Sequence, residues 1–201
     1  VRVLMLSWDF PPRATGGIAA QVSGLSAALA AAGHEVVVLT VADRPAELDA
    51  KPPPGVHVLR TLVDLPWLPP VEVVTRIASA NHAVTKLGSR LSGELAGWEP
   101  DVVHGHDWQL GWAADSLAAQ YDVPCLIDRC GVVAGPGQLG KSDQGVFTHW
   151  LAAHWTGRPL RYLGFGGQGK QVRDVLHVDD LCGLALRQLA RIREFRGQAF
   201  N

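Results

Sequence analysis

Tyr121-Asp-Val-Pro-Cys-Leu-Ile-Asp-Arg-Cys-Gly131 lies near the middle of the chain, and its reading decides the fold. Val123, Cys125, Leu126, Ile127 and Cys130 make an apolar run too short for a helix. The run is entered through Pro124 and left through Gly131, as expected of an interior parallel strand. Before it the chain alternates strand and helix in the manner of a nucleotide-binding half-domain; after it come a glycine-rich loop and a basic tail. Charge divides at the same place: residues 1–126 carry 8 basic and 13 acidic side chains, residues 127–201 carry 10 and 6. Two segments of different origin, 1–126 and 127–201, are expected to meet at this strand.

At 201 residues and 47% apolar content, the chain can bury a core, and one α/β domain or a domain plus a subdomain is expected. A net charge of −1 gives no general attraction for nucleic acid or acidic membranes. No apolar run approaches the roughly 18 residues of a membrane span. The first ten residues lack the basic start, apolar middle and small-residue cleavage site of a signal peptide, so the cytoplasm is the expected compartment. The missing initiator Met points to a trimmed chain or a fragment. Cys125, Cys130 and Cys182 form an odd set without metal-ligand spacing and are read as reduced core residues, with no metal expected.

Toward the N-terminus, Val1–Ser7 reads as a strand and Ile18–Ala32 as a helix with Ile18, Val22, Leu25 and Leu29 on one face, stopped by Gly33. Glu35–Val41 is the next strand. This βαβ unit leaves Gly16 and Gly17 at a helix N-terminus, where free N–H groups favour an anion, although a glycine pair alone more often makes a tight turn. No G-x-G-x-x-G follows the first strand, which argues against a dinucleotide cradle. Two proline clusters, 51–54 and 65–70, flank a short strand at Val56–Leu62. A helix is expected from about Val71 to Ala96, with Val73, Val74, Ile77, Val84, Leu87, Leu91 and Leu95 able to line a buried stripe and Ser79, Asn81, His82 and Thr85 facing outward or a cleft. Asp101–Gly105 is a strand whose carboxyl end carries His104, His106, Asp107 and Trp108, where open α/β sheets place ligands. His104 and His106 are taken to point to opposite faces and so not to share an ion. Neutral His106 beside a carboxylate suits a sugar hydroxyl; a structural turn fits the same residues equally well.

Beyond the central strand, a glycine-rich loop leads to a helix capped by Asp143. Its apolar side is Val146, Phe147, Trp150, Leu151, His154 and Trp155, and Gly157 ends it. Pro159–Phe165 reads as an edge strand. Gly164–Gly169 is a loop without the Gly-Lys-Ser/Thr ending of a P-loop. A last helix carries Leu181, Leu184, Leu186, Leu189 and Ile192, capped by Asp179 or Asp180, with Arg187, Arg191, Arg193 and Arg196 toward its C-terminal end. Arg173, on an extended segment, suits bidentate phosphate contact or an ion pair with Asp174 or Asp179.

Val3-Leu-Met-Leu-Ser-Trp-Asp-Phe-Pro-Pro12, Gly16-Gly17, Gly33-His-Glu-Val36 and Pro100-Asp-Val-Val-His-Gly-His-Asp-Trp108 resemble the N-terminal domain of GT-B glycosyltransferases of the glycogen-synthase-like retaining family. The resemblance implies a nucleotide-sugar or sugar ligand near Gly16, Gly17 and His106, with Asp107 as the adjoining carboxylate. It also implies a second domain bearing a glutamate motif, so a partner chain completing the cleft is one expectation. Arg129-Cys-Gly-Val132, Ala134-Gly-Pro-Gly-Gln138, Asp143-Gln-Gly-Val-Phe147, Gly164 to Gly169, Gln171-Val-Arg-Asp174 and Leu176-His-Val-Asp-Asp-Leu181 are similar to the C-terminal part of extended short-chain dehydrogenase/reductase enzymes of the CDP-paratose 2-epimerase-like kind. That similarity implies Arg173 on a nucleotide diphosphate and Arg129 near the substrate pocket; Asp128 stands where Asn is expected. Those epimerases use NAD and a Tyr-x-x-x-Lys pair. Neither Tyr121 nor Tyr162 is followed by Lys four positions on, so no cofactor is expected for this chain.

The expected fold is α/β: a Rossmann-like parallel sheet of the GT-B N-terminal type, extended by the central strand, with a looser α+β C-terminal appendage of extended short-chain dehydrogenase type. The expected function is that of a sugar-nucleotide-related, glycosyltransferase-like chain, a fusion or truncation product without turnover of its own. The alternatives are a glycosyltransferase subunit completed by a partner, a nucleotide-sugar epimerase/dehydratase-like protein, and a non-catalytic interaction protein.

Overall fold

The computed structural model describes residues 1–13, 17–63, 72–135, 146–162 and 165–194. Gly16, Asp143, Gly164 and Arg196 lie outside the described residues. The chain opens with β1 (Arg2–Ser7), α1 (Gly17–Ala31), β2 (Glu35–Ala42) and β3 (Val56–Leu62), each close to its expected bounds. It continues through α2 (Val73–Gly88), the single turn α3 (Leu91–Glu94), β4 (Val102–His106), α4 (Gly111–Tyr121) and β5 (Cys125–Ile127). These five strands pair in the order β3-β2-β1-β4-β5, all parallel. The strand order reverses between β1 and β4, and there Ser7 is in register with His106. In doubly wound sheets that crevice is where ligands bind.

Alternation along each strand sends side chains to two different cores. Leu4, Leu6, Val37, Leu39 and Val103 pack with Ala80 and Val84 of α2 and with Ala113, Ala114 and Leu117 of α4. Val3, Met5, Val36, Val38, Val102 and Leu126 pack on the other face against Val22, Leu25 and Leu29 of α1.

The helix expected over 71–96 is broken. α2 stops at Gly88, where a Cβ would sit 2.5 Å from a methyl of Leu117, so close packing against α4 requires glycine there. Tyr121 Oη donates to the Gly88 carbonyl at 2.7 Å and pins the same junction. Two surface assignments on α2 are also corrected. Val73 and Val74, expected in the stripe, are exposed, while Ser79 and Asn81, expected to face outward or a cleft, are buried. Asn81 is stable inside because it is fully used. Its amide donates to the carbonyls of Ile77 and Gln109, and its Oδ1 accepts from the Ala113 N–H in the first turn of α4.

In the tail, β6 (Val132–Ala134) and β7 (Val175–His177) form a separate two-stranded parallel sheet, with α5 (Val146–Thr156) between them in sequence and α6 (Val178–Ala190) following. No strand forms over the described part of 159–165. α5 ends at Gly157, which takes φ +66°, as expected. Its apolar side is not covered by described residues: Trp155 is 92% exposed, and only Ala153 is buried. α6 behaves in the opposite way. Leu181, Ala185 and Leu189 recur every fourth residue, and Ala185 and Leu189 join the α1 core, so this helix is packed rather than loosely appended. Its N-cap is His177, whose Nδ1 accepts from the Asp179 N–H at 3.2 Å, in place of the expected Asp179 or Asp180.

Candidate functional site

β4 is buried along its whole length and delivers His106 to the crevice beside Ser7. Asp107 then turns the chain with φ +66°, a left-handed conformation that Asp tolerates better than most residues, and its Oδ1 accepts from the Trp108 N–H at 2.7 Å. Trp108 is left 67% exposed. Asn81 holds the far end of this turn through Gln109 and Ala113. That contact has no short-range signal in the sequence, because it joins residues about thirty apart.

His104 and His106 do not point to opposite faces. Side chains two apart on a strand return to the same face, and the two rings lie with centroids 4.1 Å apart and tilted by 38°. Both occupy the α1/α6 side of the sheet with Val102. Leu126 and Asp128 alternate onto that side too, which brings Asp128 Oδ2 to 3.4 Å from His104 Nε2. Gln188 Nε2 on α6 donates to Asp128 Oδ1 at 2.7 Å. Burial raises the Asp128 carboxyl, but the contacts from His104 and Gln188 together outweigh it and hold the group below its ordinary value. His106 is 7% exposed, and burial followed by the neighbouring His104 holds its imidazole well below the ordinary histidine value. It is therefore neutral near pH 7, and its Nε2 has no hydrogen-bond partner among the described residues.

Gly17 opens α1 and lines a cavity of about 660 Å³ built from both segments, with Gly24, Val132, Ala134, Val178 and Cys182 among its walls. His106, Asp107, Arg129 and Arg173 do not line it. Arg129 and Arg173 are exposed and precede β6 and β7 by three and two residues; since Val132 pairs with Val175, the two arginines share one end of the small sheet. Arg173 donates to the Val172 carbonyl at 3.0 Å. Neither ion pair expected for it, with Asp174 or Asp179, is found among the described residues.

The sequence reading missed a charged cluster at the carboxyl ends of β1 and β2. Arg13, almost fully buried, approaches Asp43 at 3.0 Å and Asp9 at 3.6 Å, donates to the Trp8 carbonyl at 2.8 Å, and stacks over the Trp8 ring. Arg76 of α2 also pairs with Asp43. The i, i+4 pair Asp9/Arg13 and an aspartate directly after a strand were the available signals. The three cysteines are free, and burial followed by Asp115 pushes the Cys125 thiol up to about 11, which makes it an inert core group. No set of metal-ligating side chains and no helix able to cross a membrane occurs among the described residues.

The five-stranded parallel sheet, with its strand order reversing between β1 and β4, defines a Rossmann-type α/β protein. Residues 16–163 match the glycosyl transferase 4-like domain, and the chain belongs to that family. It is 38% identical over 139 residues to glycogen synthase of Mycobacterium tuberculosis, an alignment covering 63% of this chain and 32% of that protein. It is also 54% identical over 96 residues to CDP-paratose 2-epimerase of Salmonella typhi, covering 44% of this chain and 28% of that one. The chain thus spans about a third of the length of the curated relatives it matches. A UDP-glucuronic acid 4-epimerase from Bacillus cereus, solved with UDP-glucuronic acid and NAD, shares the fold: TM-score 0.54 at 15% identity, covering 99% of this chain and 76% of that one.

Proposed function

We propose that this stretch of chain carries the sugar-facing wall of a glycosyltransferase-like site at the carboxyl ends of β1 and β4, joined near residue 126 to an epimerase-type segment. His106 carries the reading. It is a neutral imidazole at the strand-order reversal with Nε2 unpaired, and leaving such a group buried costs about 1–3 kcal/mol that a ligand hydroxyl would recover. Asp107 and Gly17 adjoin the same edge of the sheet. Arg129 and Arg173 offer two guanidinium groups at one end of the small sheet, suited to a diphosphate. The joined-segment reading is supported by identities of 38% and 54% to two different kinds of sugar-nucleotide protein. A retaining GT-B cleft needs two walls and the described residues supply one, so on this reading the chain alone binds a nucleotide-sugar without transferring it. The second wall would come from a further domain or from a partner chain.

Calorimetric titration with UDP-glucose and ADP-glucose, alongside a transfer assay with a glucan acceptor, tests this. Saturable binding that is lost in His106→Ala, with no transfer, is expected. Transfer by the chain alone overturns it.

The likeness to a solved NAD-containing epimerase favours a second reading, an epimerase-like protein. The residues do not fit NAD. Asp43, which follows β2 where a ribose-binding carboxylate would stand, is taken by Arg13 and Arg76, and no G-x-G-x-x-G follows β1. A thermal-shift titration with NAD is expected to be flat, and a saturable shift would restore this reading.

A further inference from the structure

The buried polar chain beneath His106 begins in the other segment. Gln188 lies on α6, more than sixty residues past β5, yet it is 1% exposed and donates to Asp128. Asp128 in turn faces His104, and the His104 ring lies against His106. We propose that Gln188, acting through Asp128 and His104, is a positioning residue for His106, so that the tail helix sets the geometry of the ligand-facing histidine.

The chemistry at residue 128 favours this. A carboxylate only accepts: Oδ1 takes the Gln188 amide at 2.7 Å, while Oδ2, which accepts no hydrogen bond among the described residues, faces His104 Nε2 at 3.4 Å. An asparagine at this position could still accept from Gln188 but would present an N–H₂ instead of a carboxylate oxygen to His104 Nε2. The Asp128 carboxylate on one side and the His106 ring on the other restrict the orientation of the His104 ring. Its register neighbours, Met5 on β1 and Leu126 on β5, carry no charge. Asp128, the His106 ring and, beyond Asp128, the Cys130 thiol are therefore the titratable groups around it. His106 packs against the oriented ring with its own Nε2 unpaired, which leaves it available to a ligand.

The proposal rests on the reading of His106 as a sugar contact, and two readouts separate the two claims. Gln188→Met keeps the approximate volume of the side chain and removes its amide; Asp128→Asn removes the charge and replaces one of the two acceptor oxygens by a donor. Long-range ¹H–¹⁵N spectra of the histidine-labelled full chain should show one Nε2–H tautomer for His104 in the wild type. In both variants they should show tautomer mixing at His104 and a displaced titration midpoint for His106, with the backbone amide spectrum otherwise kept. Wild-type histidine signals in both variants overturn the relay. Affinity for UDP-glucose or ADP-glucose should fall about tenfold in Gln188→Met, the weight of one net hydrogen bond. If histidine signals move while the wild type binds neither compound, the relay stands and the sugar-contact reading falls. If Gln188→Met binds as tightly as wild type, His106 needs no help from α6 and the positioning role is overturned.

Discussion

The two faces of the sheet solve the same burial problem in different ways. The face under α2 and α4 is apolar at nearly every buried position, and its contacts come from residues 4 to 125. The face under α1 and α6 has an equally apolar floor around Val22, Leu25 and Leu29, but it also buries His104, His106, Asp128 and Gln188, and a separate cavity of about 660 Å³ lies between α1, β6 and the start of α6. Burying such groups is tolerable only where each has a partner or a use. The dry face is therefore the scaffold, and the polar face, shared between the two segments, is where a ligand can gain something.

The largest expected effect breaks the scaffold. Leu117 is fully buried between α2 and the sheet, and Leu117→Ala should cost about 4 kcal/mol in urea unfolding. A loss under 1 kcal/mol would mean that this face is not the rigid one. Leu189→Ala on α6 asks whether the polar face belongs to the same cooperative unit. It should cost about 2 kcal/mol in that same transition. A separate, earlier transition carrying the whole effect would mean that α6 is an independent appendage after all.

How much of this was legible in the sequence follows from the range of the interactions. β1, β2, β3 and α1 come out close to expectation because their signals, apolar runs and a 3–4 spacing with a glycine stop, are local. α5 and α6 look alike as apolar helices, yet one is exposed and the other buried, since coverage depends on what else packs there. Asn81 reads as a surface residue and proves to be a cap for a helix thirty residues away. The shared face of His104 and His106 was available from strand periodicity alone and was misread, whereas the Asp128–Gln188 bond across sixty residues was not readable at all. His106, at the end of a strand with a turn after it, was the one ligand-facing candidate whose position followed from local pattern.

The smallest effect is also the most specific to the polar face. His106 has a folded-state value held well below the ordinary histidine value of about 6.5, whereas the unfolded chain titrates near it. Below that pH the unfolded state therefore binds the extra proton first. The contribution is complete above about pH 6.5 and is lost as pH falls, with a slope of up to about 1.4 kcal/mol per pH unit for one group. Asp128 is likewise held below its ordinary carboxyl value, so its contribution follows the same linkage at lower pH: it is present above about pH 4 and lost as pH falls through the folded value. The two windows are separable. His34, also lowered by burial, adds to the upper window, so the informative quantity is the difference between wild type and His106→Gln in urea unfolding from pH 7 to 5. The variant should show a shallower slope across that range, and parallel curves would mean that the imidazole is free to charge in the folded protein and that the polar face is wetter than the scaffold comparison allows.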